Sequence, residues 1–528
     1  MPGDISVSAL AHAPATPLPH YWSRVVGAGR ANEGLRADWQ RQLTEAHAAC
    51  GFEYIRFHGL FHDDMFVYTE TEDGEPVYNF QYVDALFDFL LDLGIRPFVE
   101  FGFSPRALAR ETNTVFWWGA HGSPPTDLGK WSALIARITR HWITRYGLEE
   151  VRSWYFEVWN EANLWGFFHG TRSEYFELYE VTARAVKDVD AQLRVGGPAT
   201  SNFVPDERFG GESEDVSRRI VAGRDDIDDL DWRPVWMQAF LDFCVERELP
   251  VDFVSTHPYP TDWALDEHGQ GEKLTRSKDA TPVDLALLRE LIAKSAYPDA
   301  EIHLTEWSSS SSPRDHTHDT LPAATYVTRS LLHSLDTVHS LSYWTFTDVF
   351  EEGGAGDELF HGGFGMITLP GIPKPTFHAY RMLHALGDEL IERGEDHVLT
   401  RHAASGRLTA LVHHYPREEP KSVPASFDSR EVAETTQAKG TPRRLALELG
   451  GLPAGTPFRV EVLDAEHGNA IGAWHALGSP AAPTREQLAH IDRQARATDV
   501  RTVLAGQDGV LRLDTVLTPW SLALVEQL

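Results

Sequence analysis

The chain has 528 residues, 42% hydrophobic, 24% charged and 11% aromatic, with a formal charge of −31 from 47 basic and 78 acidic side chains. That balance repels nucleic acid and anionic membranes, no apolar run approaches the roughly 20 residues a spanning helix needs, and two cysteines, Cys50 and Cys244, exclude a disulfide framework or thiolate metal cluster. The length exceeds one ordinary core and predicts two or three domains, one of them large enough to be a barrel.

The N-terminal stretch MPGDISVSALAHAPATPLPHYW lacks a cationic start and a sustained apolar run, which predicts a cytoplasmic protein. Residues 1–20 stand apart as a segment whose DISVSAL run can pair with a later sheet. Eight short apolar runs then recur, each followed by room for a helix. They are RVVGAG near Val25, YIRFHG from Tyr54, IRPFVEFGF from Ile95, WYFEVWNE from Trp154, LRVGGPA from Leu193, VDFVSTHPYP from Val251, EIHLTEWS from Glu301 and SLSYWTFTD from Ser340. Between them, helical spacing marks Tyr82 to Gly94, Trp131 to Gly147, Ser173 to Val189 and Val283 to Ser295, the first two stopping at glycine. Eight alternating units predict an α/β fold, a closed parallel (β/α)8 TIM barrel over 21–375. Its chemistry belongs on the loops at the C-terminal strand ends.

LPGIPKPTFHAY (Leu369 to Tyr380) breaks the pattern, and a short helix is expected from about Phe377 to Arg393. RLTALVHHY, RRLALELG, FRVEVLDA, TVLAG and SLALVEQ then read as strands of an accessory C-terminal antiparallel β-sandwich, so that 376–528 forms a second unit. The polar stretch from Pro420 to Thr441 reads as a loop, and the segment from Pro205 to Pro234, with GRDDIDDLD, as a solvated one.

The strand ends carry Arg56 and His58, Glu100, Asn160 and Glu161, His257 and Tyr259, Glu306, and Trp344, with Glu351 and Glu352 in the tail of the eighth. Two carboxylates facing each other across a barrel mouth suit glycosidic bond cleavage, one protonating the leaving oxygen and the other acting at the anomeric carbon. Glu161 and Glu306 are the candidate pair. Arg56 and Tyr259 can hold Glu306 ionised, while the aromatic flank of Glu161 favours its protonated form. Asn160, His58 and His257 are candidates for sugar hydroxyls, Trp344 for a platform under the ring, and Glu351 and Glu352 for the outer hydroxyls. A lone strand-end Glu or His is more often structural, so the case rests on two glutamates that each close an apolar strand. For Glu100, Glu351, Glu352 and the run Ser308 to Ser312 a structural reading weighs at least equally.

No cofactor is expected: GAGRANEG after the first strand lacks the G-x-G-x-x-G spacing. No metal is expected either. His316 and His318 in RDHTHD form a His-x-His pair that raises a metal-dependent barrel hydrolase, but no strand end offers a matching ligand set and the stretch reads as a solvated loop. A non-catalytic sugar-binding protein is the third reading, opposed by the presence of both glutamates.

EVWNEANLWGFF, STHPYP and IHLTEWSSS, with RFHG, VGGPAT, YWTFTD and GGFGMITLPGIPKPTFHAY, resemble glycoside hydrolase family 39 over nearly the whole chain. The bacterial members most similar to it are β-xylosidases with a barrel and an accessory β-sandwich. The resemblance implies a retaining, exo-acting β-glycosidase that releases xylose from the non-reducing end of xylo-oligosaccharides. It implies Glu161 as general acid/base, Glu306 as nucleophile, Asn160 at the 2-hydroxyl, and His58, His257, Tyr259 and Trp344 in the glycone pocket. Ala162 departs from the pattern, which more commonly has Pro after the acid. The family also includes α-L-iduronidases, which need cations around a uronate; a chain this acidic fits that substrate less well.

Overall fold

The computed structural model describes residues 4–350, 352–423 and 429–528. Eight parallel strands, in chain order around the ring, close a barrel. They are β1 (Val25–Arg30), β2 (Tyr54–His58), β3 (Arg96–Phe101), β4 (Tyr155–Val158), β5 (Arg194–Ser201), β6 (Phe253–His257), β7 (Glu301–Trp307) and β8 (Ser340–Tyr343). All eight are almost wholly buried, as expected of strands with a packed interior on one side and helices on the other. The helix Gln81–Leu93 buries Val83, Leu86, Phe87 and Leu90, one face at helical spacing, and stops where Gly94 turns left-handed at φ 91°. The helix Leu128–Tyr146 starts earlier than its apolar pattern because Asp127 caps it, accepting from the Lys130 N–H at 2.9 Å.

The barrel interior is layered. Val25, Tyr54, Phe98, Tyr155 and Phe253 fill the N-terminal end, with Phe98 stacked on Tyr155 at 4.8 Å. One step up, the register sets Glu157 beside Glu100, as it sets Tyr155 beside Phe98. Two neighbouring buried carboxylates repel, so this register requires a cation between them.

Around the mouth, Lys374 is buried between Asp319 at 2.7 Å and Asp348 at 2.8 Å and donates to the Gly363 carbonyl at 2.9 Å. Asp319 and Asp348 in turn accept from the Gly362 and Gly365 N–H groups, each at 2.8 Å, so the network pins the loop that follows β8. That loop covers the stretch expected to be solvated between Arg314 and Asp319. Ser308, Ser309, Ser310, Ser312 and His318 are buried, and His318 Nδ1 lies 3.1 Å from the Gly362 carbonyl. Apolar periodicity carries no signal for burial by such a polar network.

Beyond the barrel, the expected helix to Arg393 is shorter. It spans Pro375–His384, and Glu389–Arg393 is instead a strand paired with His397–Arg401. Gly387 between them abuts the Arg401 backbone and donates to Thr400 Oγ1 at 2.8 Å, which ends the helix in the sheet. Seven strands form one sheet in the order Thr16–Pro17, Glu389–Arg393, His397–Arg401, Leu408–His413, Leu522–Gln527, Pro457–Leu463 and Asp499–Leu504. A second sheet holds Ile5–Leu10, Arg443–Gly450 and Leu511–Leu517; its N-terminal strand runs parallel to Arg443–Gly450, so this sheet is mixed rather than antiparallel. Apolar side chains from both sheets, Val7, Leu399, Leu447, Phe458 and Leu513 among them, join one cluster. A helix, Arg430–Gln437, occupies part of the polar stretch read as a loop; residues 424–428 of that stretch lie outside the described residues. Among the described residues no helix is long and apolar enough to cross a membrane.

Candidate active site

Arg56, from β2, is the cation the register requires. Its Nε donates to Glu157 at 2.7 Å, Nη2 lies 2.9 Å from Glu100 and 2.8 Å from Asn160 Oδ1, and Nη1 lies 3.3 Å from Glu306. The guanidinium is fully buried; burial opposes its charge, but Glu157, Glu100 and Glu306 outweigh that and hold it ionised. Because Asn160 Oδ1 accepts from Arg56, the group Asn160 has left to offer a sugar hydroxyl is its amide N–H2 donor.

Glu306 stands where the β7–β8 register shifts between Leu304 and Trp307. In a regular strand Thr305 and Glu306 point to opposite faces; the irregularity lets both reach the barrel interior. Glu306 Oε1 accepts from the Tyr259 hydroxyl at 2.8 Å and Oε2 from Arg56. Burial raises its carboxyl above the ordinary value, and Arg56 and the Tyr259 hydroxyl offset that only in part.

Glu161 follows β4 on a turn in which Trp159 and Glu161 both adopt left-handed backbone, φ 68° and 47°. Non-glycine residues hold that conformation at a cost of about 1–3 kcal/mol each, and such strain gathers at functional sites. The Glu161 N–H donates to the Ala199 carbonyl at 2.8 Å and its carbonyl accepts from the Leu164 N–H at 2.9 Å, so the turn is closed without the proline that Ala162 replaces. Burial, then the Glu306 charge, push the Glu161 carboxyl well above the usual range. One oxygen of Glu161, one of Glu306 and one ring nitrogen of His257 all lie within 4.8 Å of one another.

These unlike surroundings separate the two acids. Glu306, held by a guanidinium and a phenol, ionises first; Glu161, facing an imidazole and a neighbouring negative charge, keeps its proton. The same three groups form the one set among the described residues with the spacing to hold a metal ion, but a cation there competes with Arg56 for Glu306 and with Glu161 for the His257 nitrogen.

The structure gathers most of the sequence-expected residues and redirects one. His58 Nδ1 is tied to Glu100 at 2.7 Å, its Nε2 lies 4.0 Å from Glu306, and its ring lies 4.8 Å from Trp344. Trp344 meets Phe350 edge-on at 5.2 Å. His257, expected at a sugar hydroxyl, has both nitrogens taken by protein: Nδ1 by Glu161 and Nε2 by Thr305, each at 2.9 Å. Glu352 is half-buried; burial and the Glu306 charge push it up to about 8, against Arg314 and Lys273. Glu351 lies outside the described residues. His316 and His318 belong to no metal-binding set among the described residues. Glu157 and Thr305 were missed, although a charged residue alternating with apolar ones in WYFEVWNE is the signature of a buried carboxylate that needs a partner.

The family model "Glycosyl hydrolases family 39" matches residues 5–504. The chain belongs to that family. Over 513 residues, 96% of this chain and 92% of the relative, it is 38% identical to a β-xylosidase of Geobacillus stearothermophilus. The GH39 enzyme of Xanthomonas axonopodis pv. citri superposes with a TM-score of 0.84 at 33% identity, covering 99% and 97% of the two chains. A monomeric β-xylosidase of Caulobacter crescentus CB15 superposes with a TM-score of 0.84 at 32% identity, covering 99% of both. As a member of glycosyl hydrolases family 39, the chain is a glycosidase.

Proposed function

We propose that this family 39 enzyme is a retaining, exo-acting β-xylosidase that removes xylose from the non-reducing end of short xylo-oligosaccharides. The observation that carries the reading is the pair of unlike glutamates with oxygens within 4.8 Å. Retaining enzymes hold their carboxyls about 5–5.5 Å apart, whereas inverting ones leave about 6.5–9.5 Å for a water. In this mechanism Glu306 attacks the anomeric carbon as Glu161 passes its proton to the leaving oxygen. The C–O bond breaks and a xylosyl ester forms on Glu306. Glu161, now a carboxylate, takes a proton from water, which attacks the same carbon, releases β-xylose and restores Glu306. Asn160 serves the 2-hydroxyl, His58 and Glu352 the other hydroxyls, and Trp344 the apolar face of the ring. We assign the two C-terminal sheets to an accessory β-sandwich bracing the barrel, with domain limits near 20 and 375 and Ile5–Leu10 belonging to the sandwich.

The xylose preference rests on the β-xylosidase relative. An iduronidase-like activity needs free cations at the glycone. Lys273 and Arg314 do face Glu352, but Asp262, Asp315 and Glu352 answer the charge of Lys273, and Arg314 donates to the Gly354 carbonyl at 2.6 Å. Proton NMR of the first product from an aryl β-D-xylopyranoside tests the reading. β-Xylose appearing before mutarotation supports it, and α-xylose refutes the double displacement. Release of uronate but not xylose from the matching glycosides refutes the substrate class.

A further inference from the structure

The hydrogen bonds behind Glu161 run in one direction. Arg56, always charged, donates to Glu157 Oε2 at 2.7 Å, which holds Glu157 as an acceptor. Thr305 has a single hydroxyl proton and gives it to Glu157 Oε1 at 2.7 Å. The 2.9 Å contact between Thr305 Oγ1 and His257 Nε2 is then made by the proton on Nε2. Burial, then the Arg56 charge, keep the imidazole neutral, so its other nitrogen, Nδ1, carries only a lone pair. That lone pair faces Glu161 Oε1 at 2.9 Å. A hydrogen bond across that gap requires the proton to sit on Glu161.

We propose that Thr305 is a positioning residue which, through Glu157, fixes the tautomer of His257 so that Glu161 is held protonated in the resting enzyme. The inference rests on the assignment of Glu161 as the acid and adds how the acid is kept loaded. The irregularity in β7 places Thr305 on the same interior as its neighbour Glu306, so the clamp and the nucleophile share one feature of the strand. The device serves both halves of the reaction. Before cleavage, Glu161 carries the proton that the leaving oxygen takes as its bond to the anomeric carbon breaks and Glu306 bonds that carbon. Afterwards the Glu161 carboxylate faces a bare nitrogen that offers it no hydrogen bond, which strengthens it as the base that deprotonates water. The other ionisable groups facing Glu161 and His257 are Glu306, Arg56, His58, Tyr259 and Glu352; none supplies a proton acceptor at His257 Nε2 in place of Thr305.

Thr305→Val keeps the shape and removes the hydroxyl. His257 is then free to carry its proton on Nδ1 and donate to the Glu161 carboxylate, favouring the ionised acid. The alkaline limb of kcat/KM moves down by about one pH unit or more, the scale of a hydrogen bond to a charged group. Xylosides with poor leaving groups lose about tenfold or more near neutrality, while those with strongly activated leaving groups, which need no proton, are spared. Thr305→Ser, which keeps the hydroxyl, retains the wild-type profile. An equal loss on both substrates with no shift of the limb means a structural role and overturns the proposal, as does an unchanged Thr305→Val.

A readout independent of turnover is the infrared carbonyl band of protonated Glu161, assigned by its loss in Glu161→Gln. It persists to higher pH in wild type and Thr305→Ser than in Thr305→Val. If xylosides are not turned over, the functional reading fails while this band still decides the clamp. If Thr305→Val does not fold, the 15N spectrum of the wild type decides it: a protonated Nδ1 on His257 overturns the clamp, and a bare Nδ1 upholds it.

Discussion

Replacing Arg56 by methionine removes the one cation from a buried nest of carboxylates and tests whether the site is built on its charge. The side chain is fully buried and engages Glu157, Glu100, Glu306 and Asn160 at 2.7, 2.9, 3.3 and 2.8 Å. Breaking a buried ion pair from one side costs about 3–5 kcal/mol, because the partners are left charged and unpaired. For a chain of 528 residues the melting entropy is about 1.1 kcal/mol/K, so the melting temperature at pH 7 falls by about 3–5 °C. The sign with pH follows. Without Arg56 the folded-state carboxyls take up protons more readily than unfolded ones, so the folded variant gains stability as pH falls. The deficit against wild type is therefore largest at and above neutrality and narrows toward pH 5. Scanning calorimetry of both proteins from pH 5 to 8 at one scan rate, with kcat/KM at each pH, is the assay. A melting temperature within a degree of wild type, or a deficit that does not change with pH, refutes the electrostatic account of Arg56.

Glu161→Ala lowers kcat/KM on xylobiose by about 10²–10⁴, the usual worth of a general acid, and much less on an activated aryl xyloside. Added azide, which needs no general base, accelerates turnover of the second substrate and gives a β-xylosyl azide detectable by NMR. Lys374→Met leaves Asp319 and Asp348 buried without their cation and destabilises by about 3–5 kcal/mol, read as a lower melting temperature at neutral pH. The gap again narrows on acidification. In wild type Lys374 holds the Asp319 carboxyl below its ordinary value, so that contribution is present above the ordinary carboxylate range and lost as pH falls through the lowered one.

The barrel was legible because its strands are short apolar runs and its helices keep an apolar face, both of which survive in one dimension. The two glutamates we propose as catalytic were legible for a related reason: a charge that closes an apolar strand stands out from its surroundings. What the sequence hid depends on partners distant in the chain. Thr305 is an ordinary strand residue until the register of β7 slips and turns it inward beside Glu306. His257 looked like a group for sugar hydroxyls because its second partner, Thr305, lies 48 residues away. The stretch around His318 is polar in composition yet buried, because Lys374 and the loop after β8 close over it with hydrogen bonds and with the Phe364 ring, 5.1 Å from that of His318. In the C-terminal sheets, Leu511–Leu517 alternates inward and outward as Arg443–Gly450 does and carries the same strand signal, whereas the strand Glu389–Arg393 reads as helix because nothing in its composition shows that Gly387 meets the Arg401 backbone.

The central claim is that Glu306 bonds the sugar while Glu161 moves the proton. Incubation with 2-deoxy-2-fluoro-β-D-xylosyl fluoride, which slows both steps but keeps a good leaving group, followed by peptic digestion and mass spectrometry, tests it most directly. The account predicts one fluoroxylosyl group per chain, esterified to Glu306 and absent from Glu306→Gln. A label on Glu161, or full turnover of xylosides without any trapped ester, contradicts it.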